Sequence, residues 1–316
     1  MDMKEIKEFS DRVIDNVQKV IVGKRSAIEM ALIALLCEGH ALIEDVPGTG
    51  KTMLARAVAI STGLDFKRLQ CTPDLLPNDV TGVSIFNQKN REFEFRPGPV
   101  FSNILLTDEI NRATPRTQSA LLEAMGEGQV TVDGVTYPLP KPFMVIATQN
   151  PIEFEGTFPL PEAQMDRFLL RLHLGYPDKS DEDAMLQMQQ LIHPIEKLGQ
   201  VVDGNSIPEI QSQIRQIHIV ESLRLYILNI IHATRVHPAL ALGASPRSSL
   251  ALFRTAQALA ALLGRDYVIP DDIKHMATAC LAHRMLMNPE NILSGDTTTD
   301  LIRELLKQIE VPLSVK

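Results

Sequence analysis

Tryptophan is missing from the 316 residues, and aromatic side chains make up only 5% of them. Single-stranded nucleic acid is held largely by bases stacked on aromatic rings, so a surface of that kind is thinly supplied. There is no basic excess either. The 31 Lys and Arg are outnumbered by 39 Asp and Glu, and the net charge of −8 opposes general binding to a phosphate backbone. Cysteine is scarce: Cys37, Cys71 and Cys280 stand far apart, with no CxxC or Cys/His ligand spacing. That argues against a disulfide framework or a zinc site and for three small buried side chains in a reducing compartment. The eight histidines show no ligand spacing. Long apolar runs are absent too. The longest, Met30 to Cys37, covers eight residues, whereas a membrane span needs about 20. Met1 to Ser10 is charged and lacks the apolar core of a leader. A cytoplasmic protein without a membrane span is expected, with a length suited to about two domains.

What is present is an alternation. Through residue 177, helix-like and strand-like segments succeed one another, which predicts an α/β layer fold with a largely parallel sheet. A helix over Arg25–Glu38 is followed by a short apolar strand, His40 to Ile43, then by a glycine-rich turn and an Ala-rich helix, Met53–Thr62. Further strands are expected at Phe66–Gln70, Ile104–Thr107, Phe143–Thr148 and Phe168–Leu174, short and apolar as doubly covered strands are. Two hairpins interrupt the series. Val130–Val132 and Val135–Tyr137 flank Asp133-Gly134, a strong hairpin signal, and Val83–Phe86 pairs with Arg91–Phe95. Beyond Asp178 the periodicity is helical with almost no strand signal. Ser245-Pro246 reads as a helix start running to Gly264, Pro270 as another towards His283, and Leu301, Ile302, Leu305, Leu306 and Ile309 as one apolar stripe. The expected division is therefore an α/β core over 1–177 and a helical domain over 178–316.

The chemistry centres on Glu44-Asp45-Val46-Pro47-Gly48-Thr49-Gly50-Lys51-Thr52, set between a strand and a helix. Glycines let backbone N–H groups approach phosphate oxygens, and the helix N-terminus adds favourable dipole charge. Lys51 is placed to reach β- and γ-phosphates, and the Thr52 hydroxyl to ligate Mg²⁺. The strict pattern has glycine where Asp45 stands. Pro47, Gly48, Thr49, Gly50, Lys51, Thr52 and Met53 form the expected nucleotide-contacting set. Ile104 to Glu109 then reads as a strand ending in two acids, Asp108 for Mg²⁺ and Glu109 as general base towards water. A third strand ends in Gln149-Asn150, where Asn150 could orient that water.

These runs, together with Asp108-Glu109-Ile110-Asn111-Arg112-Ala113, Ala147-Thr148-Gln149-Asn150-Pro151, Pro159 to Phe168 and Gly243-Ala244-Ser245-Pro246-Arg247, closely resemble the MoxR family of AAA+ ATPases. The resemblance implies an AAA+ P-loop core, a parallel five-stranded sheet of order 5-1-4-3-2, with a C-terminal helical lid domain. It marks Asn150 as sensor 1, Arg167 as the arginine finger and Arg247 as sensor 2, and sets Val22 and Gly23 against adenine. Residues 83–95 become the helix-2 insert and 130–137 the pre-sensor-1 hairpin. ATP and Mg are the implied cofactors. The implied partners are other copies of the chain in a hexameric ring, a von Willebrand factor A domain protein, and a protein client that is remodelled or receives a metal cofactor.

Two of the arginines carry a physical argument of their own. Arg167 is expected to begin a strand at an edge facing a neighbouring subunit. Arg247 sits near a helix N-terminus, where a cation opposes the dipole and an anionic partner is called for. Arg112 and Arg116 receive no assignment. The alternative activity is a nucleic-acid translocase, since helicase-type relatives use the same two hairpins; the acidic charge and few aromatics weigh against it. A scaffold gated by nucleotide, without useful turnover, is the third reading.

Overall fold

The computed structural model describes residues 2–150, 156–188 and 193–312; Pro151, the last residue of one motif above, lies outside them. In chain order the elements open with α1 (Met3–Gln18), α2 (Arg25–Leu36), β1 (Ala41–Glu44), α3 (Lys51–Thr62) and β2 (Phe66–Gln70). Next come α4 (Pro77–Thr81), β3 (Gly82–Asn87), β4 (Glu92–Pro97), β5 (Ile104–Asp108) and α5 (Pro115–Glu127). Then follow β6 (Gln129–Val132), β7 (Val135–Pro138), β8 (Met144–Gln149), α6 (Glu162–Met165), β9 (Leu170–Leu172) and α7 (Lys179–Met188). The chain closes with α8 (Ile207–Ile214), α9 (Glu221–Val236), β10 (Leu240–Leu242), α10 (Pro246–Leu262), α11 (Pro270–Leu281), β11 (Leu286–Met287), α12 (Pro289–Leu293) and α13 (Thr298–Gln308). Among the described residues no helix is long and apolar enough to cross a membrane.

These elements group into two compact units. The first comprises Arg12–Leu160 and Leu172–Asn205; the second comprises Met1–Asp11, Pro161–Arg171 and Ser206–Lys316. The main sheet has the order β2-β5-β8-β1-β9, the expected 5-1-4-3-2 read from its other edge. β1 pairs with β8, β8 with β5 and β5 with β2, all parallel. β5 and β8 are covered on both faces, from Ile104 to Thr107 and from Met144 to Ala147, which is why they read as unbroken apolar runs. Parallel pairing in register brings every C-terminal strand end to one rim: Glu44 opposite Gln149, and Gln70 opposite Asp108. The polar residues that end these strands therefore converge.

Both hairpins form. In β6–β7 the turn residues Asp133 and Gly134 have φ of 51° and 79°, the left-handed pair that a two-residue turn requires. In β3–β4, Phe86 stands opposite Phe93. Phe95 of β4 stacks on Tyr137 of β7, with ring centroids 4.1 Å apart and planes 15° from parallel.

In the second unit Ser245 precedes α10, with Pro246 at its first position; α10 packs on α11, and Leu252, Ala256, Ile273 and Met276 of these helices are buried. Arg265, after α10, grips Asp272 of α11 with both guanidinium nitrogens at 2.8 and 2.6 Å. Leu301, Ile302 and Leu305 of α13 are buried, and Leu301 and Leu305 cluster with Met287. Two expectations are corrected. The segment beyond 178 does contain strands, since β10 and β11 pair antiparallel, but at two and three residues they carry no readable alternation. The expected strand Phe168–Leu174 shrinks to Leu170–Leu172, so Arg167 lies in the turn after α6 rather than at a strand start.

Candidate active site

The phosphate loop links β1 to α3. Gly48 and Gly50 have φ of 84° and 89°, which a side chain would resist, and Gly50 caps α3. At Gly48 a Cβ would meet nothing within 4 Å, so the backbone there faces open space. Lys51 begins the helix and donates from Nζ to the carbonyls of Asp45 (2.6 Å) and Val46 (3.0 Å). Partial burial lowers the Lys51 ammonium below its usual value, with Asp45, Asp108 and Glu109 opposing the shift. Asp45, the departure from the glycine pattern, has a use. Its carboxylate accepts the backbone N–H groups of Leu174 and Gly175, tying the loop to the segment after β9.

Facing the loop is the acid pair. Asp108 ends β5, and Glu109 follows at φ 56°, a left-handed conformation uncommon for a side-chain-bearing residue. Thr148 of β8 holds both: its hydroxyl donates to Asp108 Oδ1 (3.1 Å) and accepts from the Glu109 N–H (2.9 Å). Three further side chains were not foreseen in these roles. Arg68 donates from Nε to Asp108 Oδ2 at 2.7 Å. Gln70 donates to Glu109 Oε2 at 2.9 Å, and Arg112 reaches the same oxygen at 3.1 Å. Arg116 lies exposed at the start of α5. Arg68 and Gln70 sit two apart on β2, so they share a face, and the strand order puts that face beside β5. That spacing was the available signal. Next to Gln70, burial and the two acids push the Cys71 thiol up to about 12, leaving it inert.

Pro47, Gly48, Lys51, Thr52, Asp108, Glu109, Thr148 and buried Asn150, together with Arg68 and Gln70, line one cleft of about 160 Å³. A second cavity of about 310 Å³ adjoins the same loop through Gly48, Thr49 and Gly50. Its walls include Val20, Ile21, Val22, Met53, Tyr176, Pro177 and Met185, mainly apolar, with Glu182 and His193 as polar members. Gly23 is not among the residues that line it. At φ 70° it lies against α7, where a Cβ would come 1.7 Å from Asp181 Oδ2. Lys24 fastens this wall by donating to the Tyr176 carbonyl at 2.7 Å. Tyr176 and Pro177 stand at the end of the span expected for the first domain, 1–177, a position that gives no sign of their part in the cavity.

The two spaces suit an adenosine polyphosphate: apolar walls for a flat base, then loop N–H groups and a lysine for phosphates. The donor set also suits Mg²⁺, because Thr52 and Asp108 offer hard oxygen ligands in the cleft. Among the described residues no three His, Cys, Asp or Glu side chains form a metal cage, and Mg²⁺ characteristically uses one or two carboxylates plus substrate phosphates.

Arg167 and Arg247 belong to the second unit. Both are exposed, and both stand beside Asp166, Arg167 as its chain neighbour and Arg247 with Nη1 3.8 Å from Asp166 Oδ2.

Comparison with known proteins bears on the family and the fold. Residues 40–170 match the model of the ATPase family associated with various cellular activities (AAA), and residues 232–305 match the AAA lid domain. YeaC of Bacillus subtilis, an uncharacterized protein, is 52% identical over 96% of this chain and 94% of its own. Chaperone MoxR1 of Mycobacterium tuberculosis is 39% identical, covering 96% of this chain and 82% of the relative. A crystallised Cytophaga hutchinsonii protein, provisionally described as an ATPase, superposes with a TM-score of 0.92 at 42% identity, over 98% of this chain and 97% of that one.

Proposed function

The chain belongs to the MoxR family of AAA+ ATPases, and from that premise we propose that it hydrolyses ATP with Mg²⁺ in the cleft of the first unit and uses the cycle to act on a protein client. The observation that carries the reading is the convergence of Lys51, Thr52, Asp108, Glu109 and Asn150 on one cleft beside an apolar cavity. The adenine base occupies that cavity against Val22 and Met53, with Gly23 shaping the backbone beside it. Lys51 exchanges its two carbonyl partners for β- and γ-phosphate oxygens. Thr52 and Asp108 would hold Mg²⁺, which would supply charge neutralisation for the phosphates. Asp108 gives up Arg68 in the exchange. Glu109, released from Gln70 and Arg112, polarises the attacking water, and Asn150 orients it.

Two arginine roles remain. Arg167 reaches the γ-phosphate of a neighbouring copy in a hexameric ring, and Arg247 serves as sensor 2 towards a γ-phosphate. A client protein, presented by a von Willebrand factor A domain partner and either remodelled or loaded with a metal cofactor, receives the work. The chaperone description of the M. tuberculosis relative supports the engagement of a client.

The cleft is tested by separating binding from turnover. Lys51→Ala removes nucleotide affinity. Glu109→Gln keeps it and loses roughly 10²–10⁴ in rate, the range for removal of a general base. Nucleotide binding by calorimetry beside phosphate release measures both. Wild-type turnover by Glu109→Gln rejects the assignment of the base.

A further inference from the structure

Asp166 makes more contacts than a turn residue needs. Ser245 precedes α10 at the position where a serine hydroxyl ordinarily accepts a backbone N–H of the first turn. Here it makes no such bond. It donates instead to the Asp166 carboxylate, 3.0 Å from one oxygen and 3.1 Å from the other. Arg247, two residues into α10, approaches Oδ2 at 3.8 Å. Arg284 approaches Oδ1 at 3.5 Å. All four residues belong to the second unit.

The two guanidinium groups are held on very different terms. Arg284 is 3% exposed, and its Nη2 donates to the Phe168 carbonyl at 2.7 Å, so it is fixed in place. A buried guanidinium needs a counter-charge, and Asp166 supplies it. Arg247 is 64% exposed, and a pair so open to water and salt is weak. One carboxylate thus serves two cations, one immobile and one easily drawn away. Arg247 also opposes the dipole of its own helix, which the Asp166 charge offsets while the two are together.

We propose that Asp166 is a positioning residue for hydrolysis: it holds Arg247 in reach and orientation, releases it to a polyphosphate, and is itself kept in place by buried Arg284 when Arg247 leaves. The inference rests on the reading of Arg247 as a phosphate-contacting group.

A double-mutant cycle on the full-length chain tests it. Asp166→Asn keeps an acceptor for Ser245 and removes the charge. It lowers kcat by up to about 10²-fold, the scale of a 1 Å misplacement, with KM for ATP unchanged or lower because a competing anion is gone. In an Arg247→Ala background the same substitution changes kcat little, since nothing remains to be positioned. An equal loss in both backgrounds, or no loss in either, overturns the proposal. Arg247→Ala with wild-type kcat and KM instead removes the underlying reading, which is a separate failure. Should Asp166→Asn not fold, Ser245→Ala preserves every charge and enters the same cycle. It gives a smaller loss in the same direction that vanishes beside Arg247→Ala, and additivity there overturns the proposal equally.

Discussion

Lys51 and Arg247 are both assigned to phosphate, yet the two units hold them differently. Lys51 rests on neutral carbonyls of its own loop, those of Asp45 and Val46. Arg247 rests at longer range on a carboxylate brought from a distant part of the chain. A cation on carbonyls keeps its full charge for an incoming anion, and two backbone hydrogen bonds are given up at little net cost. A cation on a carboxylate is partly neutralised and aimed. On these assignments Lys51 would serve affinity and Arg247 geometry, and rate rather than binding should suffer when Arg247 is lost.

The sharpest way to break that contrast is at Arg167. Arg167→Ala should leave ATP binding near wild type and remove roughly 10³–10⁵ of the turnover, the worth of a supplied arginine finger. If the finger acts on a neighbour, specific activity should fall on dilution below the assembly threshold. Mixing Arg167→Ala with Lys51→Ala should restore part of the rate through hybrid interfaces. Phosphate release across a concentration series, with and without mixing, measures both. Rates independent of concentration, with no recovery in the mixture, would place the whole site within one chain.

The same contrast explains what was legible in the sequence. The loop over Pro47–Thr52, the acids Asp108 and Glu109, and the hairpin turn at Asp133-Gly134 are contiguous, so their spacing alone announces them. The five main strands appeared near their expected spans, with ends shifted by up to two residues, but β2, with Lys67, Arg68 and Gln70, is no apolar run and buries only Leu69; β9 was over-extended because apolar residues continue past its pairing. What stayed hidden depends on pairing across the chain: Arg68 on Asp108, Gln70 and Arg112 on Glu109, Asp45 on the Leu174 and Gly175 N–H groups, Ser245 on Asp166. Each is an ordinary polar residue until the sheet order is known. β10 and β11 are too short for any period to show.

A smaller effect, shared by both units, is one of pH. Each buries one neutral histidine. In the first, His40 lies 3.0 Å from the Met125 carbonyl through Nε2 and accepts the Val145 N–H at Nδ1, also at 3.0 Å. Burial brings its pKa down to about 4, with the Met125 contact opposing the shift. In the second, burial and the Arg284 charge lower His283 in the same direction. An unfolded histidine takes up its proton near pH 6.5, so between that value and about 4 the unfolded chain binds a proton that native His40 does not. The His40 contribution is complete above that window and is lost as pH falls through it, by about 2 kcal/mol at pH 5. Urea unfolding at pH 7 and pH 5 measures the loss. His40→Gln, which cannot titrate, should show a smaller loss than wild type; equal losses would acquit His40.

The smallest expected effect concerns the hairpins, which are local in sequence but joined by a non-local contact. Phe95 and Tyr137 stack at 4.1 Å, and aromatic pairs of this kind contribute about 0.5–1.5 kcal/mol beyond the area they bury. The contact makes one body of two loops that leave the sheet at different strands. If they engage a client together, their coupling matters for stimulation and not for basal chemistry, because neither ring lines the catalytic cleft. Phe95→Leu, Tyr137→Leu and the double variant, followed by urea unfolding, should give a coupling energy within that range. Basal ATP turnover should stay within a few-fold of wild type in all three. A coupling energy of zero would mean that the hairpins move independently, and a collapse of basal turnover would mean that the stack supports the catalytic strands instead. Light scattering on the same samples separates either outcome from loss of assembly, which would assign the stack to the contact between copies.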